Sequence, residues 1–227
     1  DLEQYSLKVG RLPVRLLIDI AGQLAELLLF LRQQQINGNA APIVHGDIKP
    51  SNLVFDEQTG KISLIDWGSS VHAQLDSQGQ YLENNVMQLM SADLQHSNAR
   101  MGDVYFIGPE QRTGALSSPR FDEQGIASTL YALASAQSCR FGRLAIPARS
   151  LGLPVEFATM LDSMLADDQK LRQQAGDYFI ARMPQLIQLV LPPLPILPDD
   201  ALLPVWCSAQ KQELDTVVYS SRRSFLR

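Results

Sequence analysis

The sequence predicts a mainly α-helical domain in which one small β-hairpin carries two polar loops. Apolar residues recur at helical spacing over residues 13–35 and again from about 122 onward. Two short apolar runs between residues 53 and 65 flank a turn-rich pentapeptide, the pattern of a hairpin. The chain is also too apolar to be disordered: 45% of its residues are hydrophobic and only 19% charged. At 227 residues it can bury roughly 70% of its extended-chain surface, enough for one substantial core.

In order along the chain, Asp1–Gly10 reads as an acidic, polar lead-in without the apolar run of a targeting segment. Pro13 suits a first helical turn, and Val14, Leu17, Ala21, Leu24, Leu28 and Leu31 follow it at helical spacing. A helix over 13–35 is expected, ending near Asn37-Gly38. Arg15, Asp19 and Glu26 interrupt its apolar stretch, so this stripe is core and not a membrane span, which needs about 20 apolar residues. Ile43-Val44 leads into a polar loop, His45 to Asn52. Leu53-Val54-Phe55 and Ile62-Ser63-Leu64-Ile65 are the two strands, joined by turn chemistry at Asp56-Glu57-Gln58-Thr59-Gly60.

Residues 69–101 are polar and aperiodic apart from a helix-like patch near Tyr81 to Met90, and so long a connection is usually functional. Helices are expected around Gly125–Leu133, over Val155–Leu165, and over Tyr178–Val190, where Pro184 predicts a kink or break. Six of the 13 prolines lie between 184 and 204, which places a boundary near 190. The predicted organisation is a domain over 1–190 and a Pro-rich extension over 191–227, whose prolines read as a surface-packed linker.

A net charge of −5 and a pI near 5.2 argue against a nucleic-acid-binding face. With only Cys139 and Cys207 there is no disulfide framework and no zinc spacing, so a reducing, cytoplasmic setting is expected and both thiols read as apolar fillers. His72 and His96, in the polar segment, read as surface residues.

The informative run is His45-Gly46-Asp47-Ile48-Lys49-Pro50-Ser51-Asn52, followed after the hairpin by Asp66-Trp67-Gly68. Asn52 and Asp66 leave the two sides of one hairpin, so an amide and a carboxylate oxygen can converge at its mouth. Mg²⁺ prefers oxygen ligands and is commonly held by one or two carboxylates plus substrate phosphates. Asp47 puts a second carboxylate on the same loop, and Lys49 can set a cation beside a phosphate. An acceptor-orienting carboxylate, a cation and a metal pair are what phosphoryl transfer needs, because its catalysis is mostly positioning and charge stabilisation.

This run resembles the catalytic loop H-R-D-x-K-x-x-N of the eukaryotic-like protein kinases, and Asp66-Trp67-Gly68 resembles their D-F-G. Gly102 to Glu110 is similar to the segment that ends in A-P-E. Asp122 matches the aspartate of that family's helix F, and Arg172 the arginine that pairs with the A-P-E glutamate. The resemblance runs in order from about residue 10 to 180 and implies a protein-kinase-like C-lobe of the bacterial Ser/Thr type. It implies that Asp47 accepts or orients the substrate hydroxyl proton and that Lys49 steadies the transferred group and contacts ATP. Asn52 and Asp66 would hold Mg²⁺ with its nucleotide. His45 would pack the loop, Asp122 would anchor its backbone, and Glu110 and Arg172 would form a buried pair. The implied activity is transfer of the γ-phosphoryl group of Mg-ATP to a protein serine or threonine, Lys49 favouring that specificity over tyrosine.

The sequence departs from the pattern in four ways. No Gly-rich strand-turn-strand and no strand-borne lysine precede residue 13, so the nucleotide-clamping N-lobe is expected outside this chain; Gly60-Lys61-Ile62 is no phosphate loop. Gly46 replaces an arginine that pairs with a phosphorylated activation segment, so that switch is expected to be absent. Asp103 stands in place of a threonine and is expected to pair with Lys49 or to weaken activity. Trp67 replaces phenylalanine. His-Gly-Asp and Asp-Trp also resemble the aminoglycoside and choline phosphotransferases, which makes a small-molecule kinase the alternative enzyme. A pseudokinase scaffold is the non-catalytic alternative.

Overall fold

The computed structural model describes residues 1–82, 102–137 and 146–190, and the backbone of two strands between 202 and 221. The chain divides into two compact units, Asp1–Leu191 and Pro192–Arg227. In the second, β7 (Leu202–Cys207) and β8 (Thr216–Ser221) pair antiparallel, with Leu202 opposite Ser221 and Cys207 opposite Thr216. Of the expected helix near Tyr81–Met90 only the first two residues are described; Tyr81 forms an isolated bridge with Leu75. His96 and Cys139 lie outside the described residues.

The first unit is built on helices. The polar lead-in is itself a helix, α1 (Leu2–Val9), because the Asp1 carboxylate caps it by accepting from the Gln4 N–H at 2.8 Å. It is attached by the fully buried Leu2 and by Tyr5, whose ring stands edge-on to Phe55 with centroids 5.2 Å apart. The central helix α2 (Val14–Arg32) follows Pro13 as expected and buries Leu17, Ile18, Leu24, Leu28 and Leu31. It stops three residues earlier than its apolar pattern suggests. Asn37-Gly38, both at positive φ, turn β1 (Gln35–Ile36) back onto β2 (Asn39–Ala40), the two-residue hairpin that Asn-Gly favours.

Two further strand pairs carry the polar loops. β3 (Ile43–Val44) pairs with β6 (Val71–His72), which brings together the segments entering His45 and leaving Gly68. The expected hairpin is β4 (Leu53–Asp56) with β5 (Lys61–Leu64), in register Leu53 to Leu64. Gln23 of α2 docks it, accepting from the Ile62 N–H at 3.0 Å and donating to the Gly60 carbonyl at 2.9 Å.

The remaining helices are α3 (Pro109–Arg112), α4 (Arg120–Ser135), α5 (Val155–Met164) and α6 (Gln169–Val190). α6 corrects the expectation of a helix beginning at Tyr178, and of the kink or break expected at Pro184 there is no break. It starts nine residues earlier and runs through the proline. Pro184 deprives the Ile180 carbonyl of its helical donor, but Phe179, Met183 and Leu186 beside it are buried in the core and hold the helix together. That core joins α2, α4, α5 and α6 through Leu24, Leu28, Ile126, Leu130, Tyr131, Phe157, Leu161 and Phe179, among others. Each such side chain contributes roughly 1.5–3 kcal/mol by its burial. Among the described residues no helix is long and apolar enough to cross a membrane.

Candidate functional site

The loop His45–Lys49 is pinned from below by α4. Asp122 is buried, and its two carboxylate oxygens accept from the backbone N–H groups of His45 (2.8 Å) and Gly46 (2.9 Å). Burial pushes its carboxyl above the usual range, against the pull of those two N–H groups. Ile48 is buried between Asp47 and Lys49, so the alternation turns the two charged side chains outward. The Ile48 carbonyl accepts from Thr129 Oγ1 at 3.3 Å. A Cβ on Gly125 would stand 3.0 Å from that same carbonyl oxygen, so α4 approaches the loop as closely as it does only with glycine there.

His45 is fully buried and joins the two loops. Its Nδ1 accepts from the Asp47 N–H at 3.3 Å, which leaves Nε2 to donate to the Ile65 carbonyl at 3.0 Å. Its ring meets Trp67 edge-on, with centroids 4.8 Å apart.

Asp47 is the focus of the site. Its Oδ1 accepts from the Asp103 backbone N–H at 2.9 Å; its Oδ2 lies 2.9 Å from Lys49 Nζ and 3.1 Å from Asn52 Nδ2. Burial raises the Asp47 carboxyl, but the Asp103 N–H, the Lys49 ammonium and the Asn52 amide together hold it below the ordinary carboxylate range. The side chain keeps 11% of its surface exposed, so it remains reachable. Lys49 thus pairs with Asp47; of the two expectations for Asp103, pairing with Lys49 or weakened activity, the first is not met, and its carboxylate accepts from the Tyr105 N–H at 3.0 Å.

Asn52 ends a 3₁₀ turn, Pro50–Asn52, and its amide nitrogen donates to the Asp47 carbonyl at 2.8 Å as well as to its carboxylate. The amide oxygen is therefore the atom left for a cation. The Asn52 carbonyl accepts from the Ile65 N–H at 2.9 Å, which continues the β4–β5 ladder and sets Asp66 one residue beyond Asn52's partner. Asp66 is exposed and takes the left-handed backbone conformation, φ 62° and ψ 67°, which few non-glycine residues adopt. An amide oxygen and a carboxylate based at one hairpin mouth are hard donors of the kind Mg²⁺ accepts alongside phosphate oxygens. Among the described residues no group of three or more His, Cys, Asp or Glu side chains could hold a metal without such help.

The segment after residue 101 lies directly over this loop. Gly102 leaves no room for a side chain, since a Cβ there would stand 2.5 Å from the Gly46 carbonyl oxygen and 2.9 Å from Asp47 Oδ1. Glu110 pairs with Arg172, as expected, and Arg172 also donates to the Ala166 and Asp167 carbonyls, both at 2.8 Å. A partly open pocket of about 130 Å³, lined by Leu75, Phe121, Met164 and Arg172 among others, shares no residue with the 45–52 loop.

No family model matches the chain. It is 26% identical over 132 residues to the Serine/threonine-protein kinase PrkC of Bacillus subtilis (strain 168), covering 58% of this chain and 17% of that protein. It is 30% identical over 114 residues to the Dual specificity protein kinase zak2 of Dictyostelium discoideum, covering 50% of this chain and 15% of that one. The solved kinase PK-1 of Cydia pomonella granulovirus superposes with a TM-score of 0.55 at 18% identity, over 78% of this chain and 60% of the viral one. The chain thus spans under a fifth of the length of these two curated relatives.

Proposed function

We propose, starting from the fact that this chain has a protein-kinase-like fold and corresponds to its mainly α C-terminal lobe, that it supplies the catalytic half of a phosphotransferase. The reaction is transfer of the γ-phosphoryl group of Mg-ATP to a serine or threonine hydroxyl of a protein, in the cytoplasm. The observation that carries this reading is Asp47: a reachable carboxylate held ionised by three donors, one of them a lysine, at the mouth of a hairpin bearing Asn52 and Asp66.

In that reading Asp47 orients the acceptor hydroxyl and receives its proton as the oxygen forms its bond to phosphorus and the bond to the departing ADP oxygen breaks. Lys49 balances negative charge on the moving group and keeps Asp47 ionised. The Asn52 amide oxygen and the Asp66 carboxylate would hold Mg²⁺, which supplies charge neutralisation on the phosphates when bound. Asp122 and His45 keep the loop in place without touching substrate. A nucleotide-clamping lobe would complete the site in that reading.

The test is phosphate transfer from labelled ATP by the full-length protein, with peptide and aminoglycoside acceptors in parallel. Transfer to serine- or threonine-containing peptides is expected, and Asp47→Ala is expected to lower it by about 10²–10⁴-fold, the span typical of a lost general base. Labelling of the aminoglycoside alone would move the assignment to the small-molecule branch, for which Gly46 and Asp66-Trp67 speak. An Asp47→Ala variant as active as the wild type would overturn the reading.

A further inference from the structure

We propose that Gln111 is a positioning residue for Asp47, coupling the Pro109–Arg112 helix to the catalytic loop through a charge-neutral hydrogen bond. The inference rests on the phosphotransferase reading above and deepens it. Gln111 is 5% exposed, and its Nε2 donates to the Gly46 carbonyl at 2.6 Å. Gly46 sits at φ 80°, in the left-handed region. Its N–H is already taken by Asp122 of α4 at 2.9 Å. Both backbone polar groups of the residue preceding Asp47 are therefore fixed by buried side chains, one from α4 and one from α3. The link to α4 lies within the rigid core, whereas α3 follows the segment that covers the site and is fastened at its far side by Glu110 and Arg172.

Gly46 has no side chain with which to reach a phosphorylated segment. The amide of Gln111 makes the connection from the opposite direction, and it requires no phosphate. Seating α3 sets the Gly46 carbonyl, the carbonyl sets the peptide leading into Asp47, and the Gly102–Asp103 strip then closes on the carboxylate. Withdrawing Gln111 leaves a carbonyl beside the buried loop without its donor, and the turn is held on its N–H side alone.

Two variants of nearly the same shape separate this hydrogen bond from packing. Gln111→Met removes the donor. Gln111→Glu removes it while ionised and restores it when protonated, which burial favours. In the full-length protein, Gln111→Met is expected to lower kcat about tenfold or more while leaving the KM for ATP within about twofold, the size of one lost buried hydrogen bond. The deficit of Gln111→Glu is expected to narrow between about pH 8 and pH 6 relative to wild type, and that of Gln111→Met to stay constant. Amide hydrogen exchange at Gly46 and Asp47 is expected to quicken in both variants at about pH 8, with the core helices unchanged. If the wild type transfers no phosphate but the variants loosen these amides, the tether stands and the phosphotransferase reading falls. Unaltered exchange at residues 46–47, or full kcat in Gln111→Met, would overturn the proposal.

Discussion

Asp47 shows how much chemistry one residue's surroundings decide. Its carboxyl is buried enough to lose solvation, yet three donors more than offset that loss and hold it below its ordinary value of 3.8. The folded protein therefore holds the ionised form more tightly than the unfolded chain does. This contribution to stability is fully present above the unfolded value and is lost as the pH falls through the lower folded one. Asp122 works in the opposite sense, since burial raises its carboxyl and its ionised form costs stability at neutral pH. Denaturant unfolding across a pH series is expected to show a wild-type advantage over Asp47→Asn that is level above about pH 5 and shrinks below about pH 4. An advantage that grew on acidification would contradict the assignment of these donors. Residues such as Asp47, Lys49, Asn52 and Asp66 are legible in sequence because they sit on two short local loops whose side-chain types the chemistry itself demands. Gln111, Thr129 and Gly125 are not, because each acts on that loop from more than 60 residues away, and nothing in the sequence marks those contacts.

The same division holds for the elements. The β4–β5 hairpin is readable from its turn residues, and α2 from the spacing of its leucines, since both signals are local. Asn37-Gly38 carries an equally local signal, but a helical apolar pattern running up to it obscures the turn. The full extent of α6 is hidden because its first half is largely polar and its course through Pro184 depends on neighbours distant in sequence. Gly125 brings an element-scale consequence. Glycine inside a helix usually costs about 1 kcal/mol relative to alanine, so Gly125→Ala would ordinarily stabilise α4. Here the new Cβ would meet the Ile48 carbonyl oxygen at 3.0 Å and the Ile48 Cβ at 3.2 Å. That loop cannot retreat, being tied by Asp122, Thr129 and Gln111. The expected outcome is a lower melting temperature than wild type together with reduced phosphate transfer; a stabilised, fully active variant would mean that the loop yields. Gln23→Ala, which loses both contacts docking the hairpin onto α2, is expected to cost about 1–3 kcal/mol in denaturant unfolding.

Across the whole first unit, a charge network joins helices that the apolar core already brings together. Arg120, at the start of α4, donates to Glu123 at 3.0 Å, to both Asp177 oxygens at 2.9 and 3.0 Å, to the Gln173 carbonyl at 3.0 Å, and to the Ser77 carbonyl at 2.9 Å. Arg32, at the end of α2, pairs with Asp177 and Glu123 as well. Burial, reinforced by the nearby Arg120 cation, pushes the Arg32 guanidinium down to about 10, so it remains charged at neutral pH. Removing Arg120 leaves Glu123, which is 4% exposed, with Arg32 as its ion-pair partner among the described residues, and removes the Ser77 contact to α4. Breaking a buried network on one side costs about 3–5 kcal/mol, and for a domain of this size that is a fall of roughly 10 °C in melting temperature. Arg120→Ala is therefore expected to melt about that much lower, and Arg120→Lys to recover only part of the loss, because an ammonium cannot span the two Asp177 oxygens, Glu123 and two carbonyls together. Thermal unfolding of the two variants beside wild type decides it. Equal melting temperatures for Arg120→Ala and wild type would show that the apolar core alone holds α2, α4 and α6 in place.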